Sequence, residues 1–205
     1  MITLFHAPGS CSLAVKAALT ISELDHNIKV INLSEGEHLT SEYKKINPLS
    51  NVPVIQVDGE NISEGGAILQ YISELAPNAN LLPEHGSIER AHALKWLLFV
   101  YTNVHPHFSR AFSPDRYGND QADIKEKAEV ALQPLFGLIN DQLENTKFLA
   151  GSSLSLADLY LLVAIHWEGI LKTPLTQRYP HLASYKQRML EIPVLANLYQ
   201  PEFSH

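Results

Sequence analysis

The stretch NPLSNVPVIQVDGENISEGGAILQYI, residues 47–72, decides the fold. Asn47-Pro48 stops the element before it, because a residue preceding proline is pushed out of the helical region. Val52 to Val57 is an apolar, β-branched run that reads as a strand. Asp58-Gly59 is a strong hairpin signal, so Asn61-Ile62-Ser63 should return as the adjacent strand. Gly65 to Leu75 then carries Ile68, Leu69, Tyr71, Ile72 and Leu75 at helical spacing. Pro53 opens the strand, where no ladder N–H is needed. A cis Val52-Pro53 bond would turn the chain tightly and offer the Val52 backbone to an extended peptide.

The same reading extends outward in both directions. Ile2 to Phe5 is a short strand, broken by Ala7-Pro8-Gly9-Ser10. Leu13, Ala17, Ala18, Leu19 and Ile21 then recur as a helix, Asn27 to Asn32 forms a second strand, and Thr40 to Ile46 a short helix. The order βαβαββα suggests a small sheet covered by helices. After Pro77 the character changes. Residues 78–86 hold Asn, Pro and Gly and read as a linker. Beyond them come four helical stretches and no convincing strand: Ile88 to about Phe112, Ala122 to Asn145, Leu156 to Leu171 and His181 to Leu190. The expected organisation is therefore an α/β domain over 1–77, the linker, and an all-helical domain over 87–205.

A chain of 205 residues, 45% hydrophobic and 18% charged, can bury a globular core as one large or two small domains. Its formal net charge is −7, with no cluster of Lys and Arg, which disfavours nucleic acid and anionic membrane surfaces as partners. No apolar run approaches the roughly 18–20 residues of a membrane span. The opening MITLFHAPGS reads as a strand rather than a signal peptide. Cys11 is the one cysteine, so no intrachain disulfide forms, and a cytoplasmic location is expected.

Several residues could carry chemistry. Cys11 falls between the first strand and the first helix, where unpaired N–H groups and a partial positive charge favour a thiolate. A small buried hydrophobe is the alternative reading. Glu64-Gly65 lies where the fourth strand meets a helix. A ligand carboxylate would be favoured at that helix N-terminus, and Glu64 could take an ammonium group. Taken alone, the pair is more simply explained as a plain helix start with a favourable acidic residue. His105 precedes Pro106, which should bend or end its helix and could turn the imidazole toward a cleft. No ligand pattern accompanies the histidines, so a metal site is not expected. Ser155-Leu156-Ala157-Asp158 reads as a capping box, with Leu154 and Leu159 placed as a hydrophobic staple.

Together, PGSCSLAVKAAL (8–19), NPLSNVPVI (47–55), SEGGAILQYI (63–72) and SLADLYL (155–161) resemble the cytosolic glutathione transferases, most closely the bacterial beta class. The resemblance runs over essentially the whole chain. It implies a thioredoxin-like N-terminal domain followed by a C-terminal helical bundle. It makes Cys11 and His105 the candidate catalytic pair beside the glutathione sulfur. Ser10, Val52, Pro53, Glu64 and Gly65 become candidates for holding glutathione, and Phe108, Phe112 and Trp167 for the hydrophobic substrate site. Glutathione would be a co-substrate, with no further cofactor, and a hydrophobic electrophile the second substrate. The resemblance also implies a homodimer, in keeping with apolar residues all round the helix at Trp96, Leu97, Leu98, Phe99 and Val100. The chain departs from the beta class at three places. Leu33-Ser34-Glu35-Gly36-Glu37-His38 and Pro106 stand where that class usually has lysines, and Leu98 stands where it has an asparagine reaching across the dimer. The expected activity is conjugation of the glutathione thiolate to hydrophobic electrophiles. Three alternatives stay open: thiol–disulfide exchange through Cys11, an isomerase of the zeta type, which Ser10-Cys11-Ser12 also resembles, and a non-catalytic binding protein on the same fold.

Overall fold

A computed structural model describes residues 1–203; the last two positions of the expected 87–205 domain lie outside them. The described residues form two compact units, Met1–Leu82 with the segment from Pro193 onward, and Pro83–Ile192. The first opens with β1 (Ile2–His6), α1 (Ser12–Ile21), β2 (His26–Val30), α2 (Ser41–Ile46), β3 (Val54–Val57), β4 (Glu60–Ile62) and α3 (Gly65–Leu75). The second carries α4 (Ile88–Phe99), α5 (His105–Phe112), α6 (Gln121–Asn145), α7 (Leu156–His166), α8 (Leu175–Arg178) and α9 (Pro180–Leu190). The chain then returns to the first unit through α10 (Pro193–Phe203).

In the first unit the strands lie in the order β2-β1-β3-β4. β1 runs parallel to β2 and antiparallel to β3, with Leu4 opposite Ile55 and Phe5 opposite Val54. This is the thioredoxin-like arrangement that the resemblance implied. The hairpin turn between β3 and β4 has positive φ at both central residues, 51° at Asp58 and 88° at Gly59, the geometry that Asp-Gly serves best. Helix α1 is apolar nearly all round: Leu13, Ala14, Val15, Ala17, Ala18 and Leu19 are all fully buried. It packs against β1, α3 and α10. Thr40 caps α2 by accepting from the Tyr43 N–H at 3.2 Å.

The second unit is built around α7, in which every residue from Leu156 to Ile165 is buried. A helix hydrophobic on all faces belongs at the centre of a bundle, and α4 and α9 pack against it, with α6 joining α5 and α9. The start of α7 is fixed by the expected capping box. Asp158 Oδ2 accepts from the Ser155 N–H at 2.8 Å and from its hydroxyl at 2.7 Å. The same carboxylate reaches further than a capping box requires, since Oδ1 accepts from the Leu149 N–H at 2.7 Å and from the Tyr185 hydroxyl at 2.9 Å.

Two stretches expected as single helices are divided. Between Ile88 and Phe112 the helix widens into a π-helical turn over Val100–Val104. Pro106 is the physical reason: it has no N–H, and its ring would clash with the carbonyl one α-turn earlier, so one wider turn relieves both problems and the helix continues. The stretch from Leu156 leaves the α-helix at His166 and finishes as a 3-10 turn over Trp167–Ile170, around Gly169. Helices α8 and α10 go beyond the sequence reading. Among the described residues, no helix is long and apolar enough to cross a membrane.

Candidate functional site

The candidate residues fall into two groups, one in each unit. In the first unit, the loop from β1 to α1 carries Ser10 and Cys11. Gly9 turns the chain there with φ 73°, a conformation that favours glycine. Cys11 occupies the N-cap position of α1. Its side chain is buried, and Sγ donates to the Val52 carbonyl at 3.5 Å. That contact is open to the protonated thiol only. The Val52-Pro53 bond is cis, and β3 begins directly after Pro53. The approach to this bond is held by neighbours. The Asn51 carbonyl accepts from the Tyr43 hydroxyl and from Asn47 Nδ2, both at 2.9 Å. Phe5, Ala7, Ile31, Tyr43, Val52 and Val54 pack as one apolar cluster beneath it.

Glu64 precedes α3 with φ 68° and ψ 101°, outside the regions an ordinary side chain favours. Such a conformation costs about 1–3 kcal/mol and persists where the surroundings impose it, often at a ligand site. The N–H groups of Ala67 and Ile68 both return to the Glu64 carbonyl at 3.0 Å. Those of Gly65 and Gly66 come before that pattern begins, as the first groups of the helix.

A network that sequence reasoning did not find fixes the Cys11 loop. His6 Nε2 donates to Glu202 Oε1 at 3.0 Å, and Lys16 Nζ donates to the same oxygen at 2.7 Å. The Gly9 N–H donates to Glu202 Oε2 at 3.0 Å. On the other side of the imidazole, His6 Nδ1 lies 2.7 Å from the Ser12 hydroxyl, which also meets Ser10 Oγ at 2.7 Å and accepts from the Ala7 N–H at 3.1 Å. Burial pushes the Glu202 carboxyl up, but the hydrogen bonds from His6, Lys16 and Gly9 together outweigh it and hold it down at about 2. Nothing local marks Glu202, because its partners lie more than 180 residues earlier.

In the second unit, His105 opens α5 directly after the π-helical turn. Its Nδ1 lies 2.7 Å from the Tyr160 hydroxyl. Burial lowers the imidazole to about 4, so the ring is neutral at pH 7. Tyr101 lies edge-on to it at 6.2 Å between ring centroids, and Trp167 lies tilted at 5.0 Å. Trp167 continues the cluster to Phe108 at 5.4 Å and Phe112 at 5.7 Å. Phe108 is fully buried and Trp167 nearly so, whereas Phe112 is 49% exposed, so Phe112 presents the face and the other two support it. Tyr101 and Tyr160 were not singled out from sequence. Tyr160 sits inside the SLADLYL segment, whose capping signal accounted for the motif without it.

The family model described as "Glutathione S-transferase, N-terminal domain" matches residues 1–74, and that described as "Glutathione S-transferase, C-terminal domain" matches residues 91–193. The chain is 31% identical over 192 residues to the glutathione S-transferase GstA of Escherichia coli O157:H7, covering 93% of each. It is 30% identical over 190 residues to the maleylacetoacetate isomerase of Dictyostelium discoideum, covering 90% of this chain and 86% of that one. Among solved structures, the bacterial beta class glutathione S-transferase of Sphingomonas chungbukensis superposes with a TM-score of 0.85 at 30% identity, covering 98% of each chain.

Proposed function

Because the chain belongs to the glutathione S-transferase family and is an enzyme of that family, we propose that it binds glutathione and directs its thiolate at hydrophobic electrophiles. The placement of Cys11 beside the Val52 carbonyl, just before β3, carries this reading. Val52 offers backbone groups to the cysteinyl part of glutathione, and Glu64 with the N-terminus of α3 suits its γ-glutamyl end, which bears an ammonium and a carboxylate. A free thiol with a pKa near ~8.5 is mostly protonated at neutral pH, so donors that favour the thiolate raise its reactive fraction. Phe112, backed by Trp167 and Phe108, supplies apolar surface for the second substrate. Glutathione serves as co-substrate, and the reading invokes no further cofactor. It places the protein in the cytoplasm as a homodimer.

The hydrogen bond from Cys11 to Val52 favours conjugation over thiol exchange. The thiol form of Cys11 makes this contact, whereas exchange needs the attacking thiolate. Glutathione-dependent cis–trans isomerisation is a second reading, favoured by the relative named maleylacetoacetate isomerase and by the Ser10-Cys11-Ser12 segment. It uses the same thiolate, which adds to a conjugated double bond and leaves after rotation, regenerating glutathione.

The test compares the unaltered chain with Cys11→Ala on an aromatic electrophile, a mixed disulfide and a cis-unsaturated diketo acid. Conjugation should fall in Cys11→Ala yet stay measurable, since one lost donor costs at most about 3–4 kcal/mol. Loss of all conjugation, with disulfide exchange intact in the unaltered chain and absent in Cys11→Ala, would replace this reading with thiol exchange. Turnover of the cis substrate alone would select the isomerase.

A further inference from the structure

The buried imidazole of His6 has no part in the chemistry above, yet its partners fix where the protons around it lie. The Glu202 carboxylate is ionised and can only accept. His6 Nε2, 3.0 Å from Oε1, therefore carries a proton. Lys16 Nζ donates to the same oxygen and the Gly9 N–H to the other. In the neutral imidazole the second nitrogen is then bare, so Nδ1 accepts. Its partner at 2.7 Å is the fully buried Ser12 hydroxyl, which gives Nδ1 its one proton. The Ala7 carbonyl competes for that proton only from 3.3 Å. Ser12 Oγ then has two lone pairs to fill. One takes the Ala7 N–H at 3.1 Å, and the other faces Ser10 Oγ at 2.7 Å. A bond between two hydroxyls needs one proton, and only Ser10 has one to give. Ser10 Oγ in turn accepts at 3.2 Å from the Ser12 N–H, the first of α1.

We propose that Glu202 is a positioning residue that, through His6 and Ser12, sets the direction of the Ser10 hydroxyl, so that Ser10 meets a ligand of the Cys11 loop as a hydrogen-bond acceptor and not as a donor. All of these residues belong to one compact unit, in which α10 packs against α1. Only the identity of the ligand as glutathione rests on the reading above; the proton directions do not. The chemical consequence is a preference. A ligand group set against Ser10 must bring its own proton, as an amide N–H or a thiol does. A carboxylate or a thiolate there would meet a lone pair. Ser10 therefore recognises a proton-bearing part of its ligand, and the donors that favour a glutathione thiolate lie elsewhere. The polarity is imposed from α10. Without the carboxylate, Nε2 no longer needs the proton, His6 can present Nδ1–H to Ser12, and the chain of hydroxyls reverses.

Neutron diffraction from deuterated crystals at about pH 8, above the ordinary imidazole value of about 6.5, reads the directions themselves. Deuterium is expected on His6 Nε2, on Ser12 Oγ pointing at Nδ1, and on Ser10 Oγ pointing at Ser12. Deuterium on His6 Nδ1, alone or together with Nε2, would overturn the proposal, and so would a Ser10 deuterium turned away from Ser12. The same crystals with glutathione bound should keep the Ser10 deuterium on Ser12; its rotation toward the ligand would equally overturn it. Nitrogen-15 NMR then tests Glu202 as the cause. The unaltered protein should show a single His6 tautomer, assigned by its loss in His6→Gln, and Glu202→Ala should add the Nδ1–H form. A spectrum unchanged in Glu202→Ala would end the case for Glu202. Should that variant fail to fold, the neutron map of the unaltered protein decides alone. If calorimetry finds no glutathione binding, the proposed function falls, while the proton directions still stand or fall on the ligand-free map.

Discussion

Replacing Asp158 with alanine removes the acceptor of four hydrogen bonds, from the Leu149 N–H, the Ser155 N–H, the Ser155 hydroxyl and the Tyr185 hydroxyl. Burial raises the carboxyl above its ordinary range, and these donors oppose that effect. Each donor left unsatisfied in the interior costs about 1–3 kcal/mol, so Asp158→Ala should lose about 3 kcal/mol or more of stability. Ser155→Ala removes one cap and should lose only about 0.5–2 kcal/mol. The double variant should lose less than the sum, because the residues share contacts. Denaturant unfolding measures all three, and equal losses for the two single changes would show that Asp158 acts only as a cap. The serine and aspartate were legible because a capping box is local, three residues apart. The wider role of Asp158 was not, since Leu149 and Tyr185 reach it through tertiary packing.

At the scale of the element, α10 closes the first unit by carrying Glu202 to the loop that holds Cys11. Glu202→Ala should strand the buried His6 and the Gly9 N–H, lowering stability by about 1–3 kcal/mol. It should also reduce glutathione-dependent activity through loss of loop order. The pH dependence follows from linkage. The folded Glu202 carboxyl titrates at about 2, against 4.5 for an ordinary glutamate, so its stabilisation is fully present above about 4.5 and is lost as pH falls toward 2. Acid unfolding of Glu202→Ala should therefore depend less steeply on pH across that window, and an unchanged slope would remove Glu202 from the account. The strands, α3 and the hairpin were legible because β-branched runs, Asp-Gly and helical periodicity are short-range signals. Helix α10 was less so. Pro193 starts it and Pro201 lies inside it, and both punctuate the sequence as breaks while the helix accommodates them. The π-helical turn before Pro106 is legible only as a bend or an end of the helix, because sequence marks the missing N–H but not how the backbone absorbs it.

At the scale of the whole molecule, the second unit exposes an open groove of about 490 Å³ between α4 and α6, lined by Lys95, Trp96, Phe99, Leu138, Asp141 and Gln142. Leu138 is 55% exposed and Leu98 46%. Apolar surface of this kind supports the proposed homodimer. Sedimentation at micromolar concentration should give twice the mass of the chain, and Leu138→Asp should shift it toward the monomer; a single-chain mass for the unaltered protein would exclude the dimer. The division into a small sheet with its helices followed by an all-helical part was legible from the order of the elements. The pairing of Cys11 with Val52 and of His105 with Tyr160 was not, because each joins segments about 40 or more residues apart that only the fold brings together. An enzyme that uses glutathione as a nucleophile must first bind it. Calorimetric titration of the unaltered chain with glutathione, and then with an S-alkyl glutathione, tests it most directly. A saturable isotherm is expected for both, since the γ-glutamyl and cysteinyl backbone contacts are common to the two ligands. No saturable heat with either would contradict it.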